Sequence, residues 1–397
     1  MTLQGKRILL GMTGGVAAFK SCELARRLRR VGADVRVAMT EAATRFVSPV
    51  TMQALTGQTA WTDLWDARVP DNMGHIELTR DRDLIVVAPA TADFMAKVAH
   101  GLADDLLSNM ALARRCPLLL APAMNVEMWE NPATQRNVRT LRGDGVLFAG
   151  PVAGDQACGE TGLGRMLEAE QIAEEVEAAL QPKLLAGKRV LVTAGPTEEP
   201  IDPVRVITNS SSGKMGYAIA RAAREAGATV TLVSGPTALA APHGVERVDV
   251  RTALEMFDAV KRRAGACDVF VSVAAVADYR VKAPSKQKIK KSAGPPRIDL
   301  AENPDILAHV ARMPRGPFCV GFAAESEDLE KNAKSKRAKK GIPLLAANLA
   351  QKALGADDNA ITLYDDRGAH PLGRGPKHEQ ARKLVAHVAA MLGKRRK

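Results

Sequence analysis

A cysteine within a glycine-rich stretch is the first group in this sequence that could do chemistry. Residues 154–166 read Gly-Asp-Gln-Ala-Cys-Gly-Glu-Thr-Gly-Leu-Gly-Arg-Met and contain Cys158. Because glycine costs backbone entropy inside helices and strands, its frequency here predicts a mobile loop or flap. A thiol on such a loop is either an incidental surface cysteine or part of a functional lid, and the local sequence leaves both interpretations open.

Two apolar stretches end in prolines and small residues, which predicts a pocket beside them. Residues 84–88 and 118–121 are near-continuous apolar runs, as in parallel strands buried on both faces. Open α/β sheets bind ligands at the carboxyl ends of such strands. Asn125 follows the second run, and its amide could hold a carboxylate or simply form a turn. His75 is a lone histidine, which is typical of a structural or solvent-facing side chain.

A glycine turn near the start of the chain predicts a phosphate site. The strand 7–11 leads through Met-Thr-Gly-Gly into a helix over 16–31, and a second strand follows over 34–39. This βαβ pattern places the turn at a helix N-terminus, where exposed N–H groups bind phosphate. The turn lacks the spacing of a dinucleotide site, and Thr40 stands where a ribose-binding acid is expected. A mononucleotide therefore fits better.

The chain restarts after a break near residues 182–187, where Gly-Lys-Arg-Val-Leu-Val echoes the opening Gly-Lys-Arg-Ile-Leu-Leu. A second glycine turn leads to residues 210–213, which precede a helix and offer hydroxyls and N–H groups to a phosphate or form a plain N-cap. The spacing is not that of a Walker loop. Further along, we expect a buried strand over 269–277, a short strand over 288–291 and a helix opening at 303–306. Lys336 and Lys340 lie four residues apart, hence on one helical face.

The composition narrows the class of protein. The 397 residues suffice for two domains, and 25% charged residues are ordinary for a globular chain. The net charge of +12 comes with only 4% aromatic residues, so small anions are better ligands than nucleic acid, which would need stacking side chains. The five cysteines form no Cys-x-x-Cys pair, and we see neither a signal peptide nor a membrane-spanning run. We therefore expect a cytoplasmic protein with no membrane or nucleic-acid partner.

Four motifs in the first half resemble the flavin-dependent cysteine decarboxylases, and among them the phosphopantothenoylcysteine decarboxylases. They lie at 11–20, 74–78, 122–125 and 157–166, in that order. The resemblance implies a flavodoxin-like flavoprotein fold, with His75 beside the substrate carboxylate, Asn125 holding that carboxylate, and Cys158 as an acid. It also implies bound FMN, contacted by Gly14, Gly15, Val16, Thr40, Ala88, Pro89, Ala90 and Thr91.

The chemistry of that family explains these residue types. Direct loss of CO2 from a cysteine amide would leave an unstabilised carbanion. If the flavin first oxidises the thiol to a thioaldehyde, the electrons left by CO2 delocalise onto sulfur. The resulting enethiol is then protonated and reduced, and a thiol on a closing flap can deliver that proton while excluding water.

Motifs at 209–216, 274–279, 288–291, 303–306 and 321–325 resemble the CTP-using bacterial phosphopantothenate–cysteine ligases. That resemblance implies an acyl-cytidylate formed with release of pyrophosphate, then attack by the amine of cysteine. Asn209 would hold the intermediate, Lys288 would face the nucleotide, and Mg2+ would neutralise phosphate charge, with metal ligands unknown. The implied CTP contacts are Ser272, Val273, Ala274, Asp278, Lys288, Asn303, Pro304, Asp305, Ile306, Phe322, Lys336 and Lys340.

Together these observations predict a fused enzyme of coenzyme A biosynthesis in the α/β class. It comprises two doubly wound, Rossmann-like domains, a decarboxylase over 1–182 and a ligase over 187–397. The resemblance implies small-molecule substrates (4'-phosphopantothenate, L-cysteine and CTP) and a homo-oligomer of trimeric decarboxylase and dimeric ligase units, a dodecamer. A nicotinamide oxidoreductase would need an intact dinucleotide fingerprint, and a nucleic-acid-binding protein would need clustered aromatic residues; the sequence has neither.

Overall fold

The computed structural model describes residues 3–66, 73–290, 297–325, 327–349 and 355–394. The chain divides into two compact units, Met1–Gln181 and Pro182–Lys397. Each unit is built on its own sheet and is described by itself below.

The first unit is a six-stranded parallel sheet in the order β3-β2-β1-β4-β5-β6, with helices on both faces and a separate two-stranded hairpin. Its elements are β1 (Arg7–Met12), α1 (Ala18–Arg30), β2 (Asp34–Met39), α2 (Glu41–Thr44), α3 (Pro49–Thr56), β3 (Ala60–Trp61), α4 (Gly74–Thr79), β4 (Leu84–Ala90), α5 (Ala92–His100), α6 (Leu106–Ala113), β5 (Leu118–Pro122), α7 (Val126–Glu130), α8 (Pro132–Gly143), β6 (Leu147–Phe148), β7 (Val152–Asp155), β8 (Thr161–Arg165) and α9 (Ala169–Ala179).

Alternation along the central strand explains why both faces are covered. In β1, Ile8 and Leu10 join one buried cluster while Leu9 joins the cluster on the opposite face. All three side chains are fully buried. A strand that is apolar on both faces must be sandwiched between helix layers, so the doubly wound prediction for this unit is confirmed.

The glycine-rich segment forms a two-stranded hairpin, which corrects the prediction that its glycines exclude strands and leave a mobile loop or flap. Strands β7 and β8 pair antiparallel, with a register shift between Val152 and Ala153. The glycines permit close approach. A side chain at Gly162 would lie 2.6 Å from Val126, and one at Gly164 would lie 2.3 Å from the carbonyl oxygen of Met124. Tight packing against the start of α7 outweighs the entropic cost of glycine. We call residues 152–165 the flap.

The second unit has an eight-stranded sheet in the order β13-β12-β9-β14-β17-β18-β19-β20, parallel except for the last two strands. Its elements are β9 (Arg189–Ala194), β10 (Glu198–Pro200), β11 (Val206–Thr208), α10 (Lys214–Glu225), β12 (Thr229–Ser234), β13 (Glu246–Asp249), α11 (Ala253–Ala264), β14 (Val269–Ser272), β15 (Tyr279–Val281), β16 (Leu300–Glu302), α12 (Ile306–Ala311), β17 (Phe318–Glu325), α13 (Leu329–Lys340), β18 (Leu344–Leu349), β19 (Asp358–Asp365), β20 (Gly368–Pro376) and α14 (Lys377–Lys394). The predicted doubly wound second domain is confirmed, and its β19–β20 extension was not foreseen.

The predicted strand over 269–277 is too long. Strand β14 ends at Ser272, and the N–H groups of Val273, Ala274 and Ala277 donate to threonine side chains instead of to a neighbouring strand. The hydroxyl of Thr193 accepts from the N–H groups of Val273 and Ala274 at 3.2 and 3.3 Å, and that of Thr197 accepts from Ala277 at 3.0 Å. The small apolar residues after Ser272 fit a strand pattern in the sequence, but the hydroxyls of Thr193 and Thr197 accept from their N–H groups and divert the backbone from the sheet.

The predicted strand over 288–291 does not form at residues 288–290, and Lys291 lies outside the described residues. The backbone is held by the Asp202–Arg205 turn instead. The N–H of Ile289 donates to Asp202 at 3.2 Å, and Arg205 donates to the carbonyl oxygen of Ile289 at 2.6 Å. The alternation of lysines around one isoleucine was therefore too short a pattern to identify a strand.

Among the described helices, none combines the length and apolar character that crossing a bilayer requires.

Candidate active sites

The first unit has a cavity at the carboxyl ends of β1, β2 and β4, which we call the Thr91 cavity. It has a volume of about 510 Å³. Thr40 and Thr91 cap the helices α2 and α5, accepting from Ala43 and Phe94 at 3.3 Å each. Its lining residues are Thr13, Gly14, Thr40, Glu41, Ala42, Arg45, Phe46, Thr91, Asp93, Phe94, Lys97 and Asp105.

Two features of the Thr91 cavity escaped sequence reasoning. A side chain at Gly14 would lie 2.4 Å from that of Ala42, so only glycine lets the turn approach α2 this closely. Thr13 is buried and joins two strand ends: its hydroxyl donates to the carbonyl oxygen of Pro89 at 2.8 Å and accepts from the N–H of Thr91 at 3.1 Å. Thr13 lies between Met12 and Gly14 in the first glycine turn, and this position could have suggested its linking role.

A second cavity of about 520 Å³ lies under the flap, and we call it the Cys158 cavity. It brings together residues that are far apart in the sequence. Its lining residues are Gly15, Val16, Ala17, Phe19, Lys20, Ala123, Met124, Asn125, Asp155, Gln156, Ala157, Cys158, Gly164, Arg165 and Met166. Four of the predicted site residues line this cavity, namely Gly15, Val16, Asn125 and Cys158. Three line the Thr91 cavity, namely Gly14, Thr40 and Thr91.

Asn125 combines the two roles left open by its sequence. Its side-chain oxygen caps α7, accepting from the N–H groups of Glu127 and Met128 at 2.9 and 3.4 Å. Its amide nitrogen faces the flap, 3.7 Å from the sulfur of Cys158, and donates to the carboxylate of Glu160. The helix cap therefore fixes the side chain, while the amide is directed at a carboxylate.

Two flap residues that carried no predicted role take part in this arrangement. The sulfur of Cys158 lies 3.4 Å from a carboxylate oxygen of Glu160. Gln156 connects the flap to α7, because its side-chain oxygen accepts from the N–H of Val126 at 3.0 Å and its amide donates to Leu163 at 3.2 Å. Both residues lie inside the glycine-rich motif, two residues from Cys158. This proximity was the sequence feature that could have suggested a role for them.

The base of the flap is held by charge. Lys20 donates to the carbonyl oxygen of Met166 at 3.0 Å and to Glu168 at 2.8 Å, and Arg165 donates to Glu168 at 2.9 Å. The hydrogen bond from Lys20, together with that from Arg165, lowers the pKa of Glu168. These contacts join the base of the flap to α1.

The remaining predicted residues of the first unit line neither cavity. Ala88, Pro89 and Ala90 are buried within β4. His75 lies on α4, and its Nδ1 atom is buried with no hydrogen-bond partner among the described residues. The structure of one chain therefore does not bring His75 to Asn125 and Cys158.

In the second unit, one cavity collects most of the predicted nucleotide contacts. This Asn303 cavity has a volume of about 460 Å³, and ten of the twelve predicted CTP contacts line it. The amide of Asn303 donates to the carbonyl oxygen of Ala277 at 2.9 Å, and its N–H donates to that of Asp278 at 2.8 Å. Its lining residues are Ser272, Ala274, Val276, Ala277, Asp278, Tyr279, Glu302, Asn303, Pro304, Asp305, Ile306, Leu307, Phe322, Lys336 and Lys340.

Two lysines of α13 supply positive charge there. Lys336 and Lys340 share one helical face, as predicted, and Lys340 forms an ion pair with Asp305. Burial lowers the pKa of Lys340, although the carboxylate of Asp278 opposes this shift. The charge run is therefore a largely solvated helix with one face, that of Lys336 and Lys340, towards the Asn303 cavity.

A neighbouring Gly213 cavity of about 270 Å³ shares Ala274, Val276, Phe322 and Lys336 with the Asn303 cavity. It contains the predicted Val273 together with the polar residues Asn348, Asn359 and Lys377, which sequence reasoning missed. Asn348 donates to Asn359 at 3.0 Å. Burial, reinforced by the charge of Lys214, lowers the pKa of Lys377. Its lining residues are Gly195, Ser211, Ser212, Gly213, Lys214, Met215, Gly216, Val273, Ala274, Ala275, Val276, Phe322, Ala324, Lys336, Asn348, Gly355, Asn359 and Lys377.

Asn209 and Lys288 line neither cavity of this unit. The amide of Asn209 nevertheless donates to the carbonyl oxygen of Ala275 at 3.0 Å, at the edge of the Gly213 cavity. Lys288 precedes Ile289, whose backbone is held by Asp202 and Arg205.

Comparison with known families matches both units. Residues 1–181 match the family described as "Flavoprotein", and residues 185–392 match the "DNA/pantothenate metabolism flavoprotein C-terminal domain".

Curated relatives match across both units at once. The chain is similar to the coenzyme A biosynthesis bifunctional protein CoaBC of Vibrio cholerae, with 50% identity over 94% of each chain. It is 48% identical to that of Escherichia coli K12 over 92% of each chain, and 43% identical to that of Bacillus subtilis over 91% of each.

Solved structures match one unit each. The C-terminal domain of a CoaBC protein is 40% identical and covers 53% of this chain and 99% of that chain, with a TM-score of 0.47. The FMN-dependent cysteine decarboxylase SpaF is 34% identical and covers 45% of this chain and 97% of that chain, with a TM-score of 0.40.

Proposed function

This chain belongs to the family of coenzyme A biosynthesis bifunctional proteins, and we propose that it makes 4'-phosphopantetheine from 4'-phosphopantothenate, cysteine and CTP. It is a bifunctional enzyme, a phosphopantothenate–cysteine ligase and a phosphopantothenoylcysteine decarboxylase. The observation that carries the proposal is the placement of Asn125 and Cys158 in one cavity, with the amide nitrogen and the sulfur 3.7 Å apart. We assign decarboxylation to residues 1–182 and ligation to residues 187–397.

The first unit suits a flavin mononucleotide. The match to the flavoprotein family supports a flavin, and the Thr91 cavity supports the mononucleotide form. Its glycine turn and the two threonine-capped helices α2 and α5 present N–H groups and hydroxyls suited to a phosphate. Gly14 keeps this cradle open, since a side chain there would meet Ala42. When bound, the flavin supplies the oxidation and later reduction of the substrate's sulfur-bearing carbon.

Residues of the Cys158 cavity account for the remaining chemistry. The amide of Asn125 donates to the substrate carboxylate and so fixes the bond that breaks. Once CO2 has left, the carbon that carried it needs a proton. The thiol of Cys158 is 3.7 Å from that amide, so it can donate its proton to this carbon and leave a thiolate that water reprotonates. The flap carries the acid and excludes water during the step.

In the second unit, we propose that CTP occupies the Asn303 cavity. The carboxylate of phosphopantothenate attacks the α-phosphorus, forming the acyl-cytidylate and releasing pyrophosphate. The amine of cysteine then forms the amide and releases CMP. Lys336 lines both cavities and can stabilise charge that develops on the phosphates. We propose that Mg2+ binds with CTP, since the oxygen donors of Asp278 and Glu302 suit this ion.

The contributions of Asn209 and Lys288 stay proposals drawn from the family. Asn209 lies at the edge of the Gly213 cavity through its hydrogen bond to Ala275, which suits a residue that holds the acyl intermediate. For Lys288, we propose that its ammonium faces the nucleotide.

We further propose a homo-oligomer, with trimeric decarboxylase and dimeric ligase units forming a dodecamer. The position of His75 supports this, because it lines neither cavity of its own unit although the family places it at the substrate carboxylate. A neighbouring chain could supply it. Exposed apolar side chains on the same unit, among them Phe19 and Trp65, would gain burial in such an assembly. We propose a cytoplasmic location, consistent with the five cysteines, all of which lie in the described part of the chain and none of which forms a disulfide.

Turnover by the full chain tests the proposed function. With phosphopantothenate, cysteine, CTP and Mg2+, we expect one pyrophosphate, one CMP and one CO2 per phosphopantetheine, and a flavin spectrum from the purified protein. Pyrophosphate release without phosphopantothenate would contradict the ligase assignment. A protein that takes up no FMN would contradict the decarboxylase assignment.

A further inference from the structure

Three potential metal ligands meet in the second unit, away from both of its cavities. Asp365 ends β19, His370 lies on β20, and His387 lies on α14. The Nε2 atom of His370 is 2.9 Å from one carboxylate oxygen of Asp365, and that of His387 is 3.0 Å from the other. The ligand atoms all lie within 4.8 Å of one another. Neither proposed reaction uses these residues.

The spacing of these atoms fits one metal ion. Zinc binds histidine nitrogen and carboxylate oxygen at about 2.0–2.2 Å. In the tetrahedral arrangement that zinc adopts, adjacent ligand atoms are therefore about 3.4 Å apart. The two observed nitrogen–oxygen separations are about 0.5 Å shorter than this, so small side-chain rotations would bring all three residues around one ion. An ion between the three side chains would replace the hydrogen bonds that now join Asp365 to the two imidazoles.

Burial and charge also suit a cation. The side chain of Asp365 is only 4% exposed, and its orientation is fixed because the N–H of Arg367 donates to it at 2.8 Å. The imidazoles of His370 and His387 are 34% and 22% exposed, so solvent reaches the site. One carboxylate and two neutral imidazoles carry one negative charge and present nitrogen donors, which favours zinc-like ions over Mg2+ or Ca2+.

We propose that Asp365, His370 and His387 bind one divalent transition-metal ion of the zinc class, which links β19, β20 and α14. Three protein residues leave a coordination position open to water. This ion is distinct from the Mg2+ that accompanies CTP, since the three residues line neither the Asn303 nor the Gly213 cavity.

The test uses metal-stripped full-length protein in buffer without CTP or Mg2+. Titration with Co2+ should give visible d–d bands that saturate at one equivalent per chain at this site. Competition with a chromophoric chelator then gives the Kd of Zn2+. In the double variant His370→Gln and His387→Gln, that equivalent should disappear. A glutamine amide can still donate to Asp365, so the fold should persist.

Loss of direct ligands should weaken Zn2+ binding by more than the roughly 10–100-fold lost when an outer-shell partner is removed. The matched control is His309→Gln, because His309 lies in the same unit but packs against Phe257 with ring centroids 4.9 Å apart. The control should keep the Co2+ spectrum and the Zn2+-dependent rise in unfolding temperature, and the double variant should lose both. Equal Zn2+ affinity in wild type and double variant, or no saturable Co2+ band in wild type, would overturn the proposal and leave a hydrogen-bonded His–Asp–His cluster.

Discussion

The amide nitrogen of Asn125 lies 3.7 Å from the sulfur of Cys158, although 33 residues separate them in the chain. This relationship matters because decarboxylation leaves its electrons on the carbon that carried the carboxylate. A group that holds the carboxylate and a group that protonates that carbon must therefore be neighbours. Three of the predictions below test this arrangement, and two test the second unit.

Replacement of Cys158 by serine should separate CO2 release from product formation. A serine hydroxyl is a much weaker acid than a thiol, so protonation of the carbon should slow by about 100-fold or more. CO2 release and the flavin spectrum should persist. The measurement is single-turnover CO2 release alongside phosphopantetheine formation. Cys116→Ser is the control, and normal phosphopantetheine output from Cys158→Ser would eliminate Cys158 as the acid.

Asn125→Asp should raise the KM for phosphopantothenoylcysteine while the fold is preserved. A carboxylate caps a helix as well as an amide does, so α7 should keep its N-terminal hydrogen bonds. It cannot donate to the substrate carboxylate and repels it. Loss of a hydrogen bond to a charged group corresponds to about 10–100-fold in affinity. Asn131→Asp is the matched control, because Asn131 caps α8 by accepting from Ala133 at 2.9 Å. An equal KM in both variants would contradict the assignment.

Glu160→Gln should lower the KM for the same substrate. The carboxylate of Glu160 now accepts from the amide of Asn125, so the substrate carboxylate must displace it. Removing its charge weakens the competing contact by about 1 kcal/mol, which corresponds to a roughly fivefold lower KM. Steady-state decarboxylation kinetics measure this, with the exposed Glu130→Gln as control. A raised KM would instead indicate that Glu160 assists binding.

Lys336→Gln should raise the KM for CTP by about 10–100-fold, since a charge-assisted hydrogen bond to phosphate is lost. Lys336 lines both cavities of the second unit. Lys339→Gln is the matched control, since Lys339 lies on the same helix with its side chain exposed. Pyrophosphate release at varied CTP measures the effect. Equal shifts in the two variants would indicate a general effect of charge rather than contact with the nucleotide.

Glu225→Gln should destabilise the second unit at neutral pH. Glu225 is 2% exposed and accepts from Arg382 at 2.7 Å, and His378 lies 3.2 Å away. Burial alone would raise its pKa, but hydrogen bonds from His378 and Arg382 outweigh burial and bring the pKa to about 2. Breaking such a buried cluster costs about 3 kcal/mol. Urea denaturation at pH 7 measures the loss, with the exposed Glu246→Gln as control.

The lowered pKa of Glu225 also determines how its contribution to the unfolding free energy changes at acid pH. The folded-state pKa of Glu225 lies below the ordinary value of 4.5. Its contribution is therefore fully present above pH 4.5 and is lost as the pH falls towards 2. Glu225→Gln should lack this component. The difference in unfolding free energy between wild type and Glu225→Gln should therefore shrink as the pH falls below 4.5. A difference that grows instead would contradict the lowered pKa of Glu225.

Local patterns predicted some elements well and failed at others for identifiable reasons. The predicted bounds of β2 agree with the structure, because its buried run is bounded by a glycine before and a helix cap after. The glycine content of the flap predicts a mobile loop because glycine is costly in strands, whereas the hairpin needs Gly162 and Gly164 for close packing at the start of α7. The strand over 269–277 was drawn too long because the acceptors that divert it, Thr193 and Thr197, lie about 80 residues earlier.

The sequence by itself determined the two-unit α/β organisation, the family and most of the residues that line the Asn303 cavity, because strand periodicity, glycine turns and motif order are local properties of the chain. Only the tertiary structure decided which of those residues meet. It joined Asn125 to Cys158 and Glu160, left His75 outside their cavity, and placed Asp365 between His370 and His387. Such distances depend on how strands pair and helices pack over tens of residues, and no local pattern contains them.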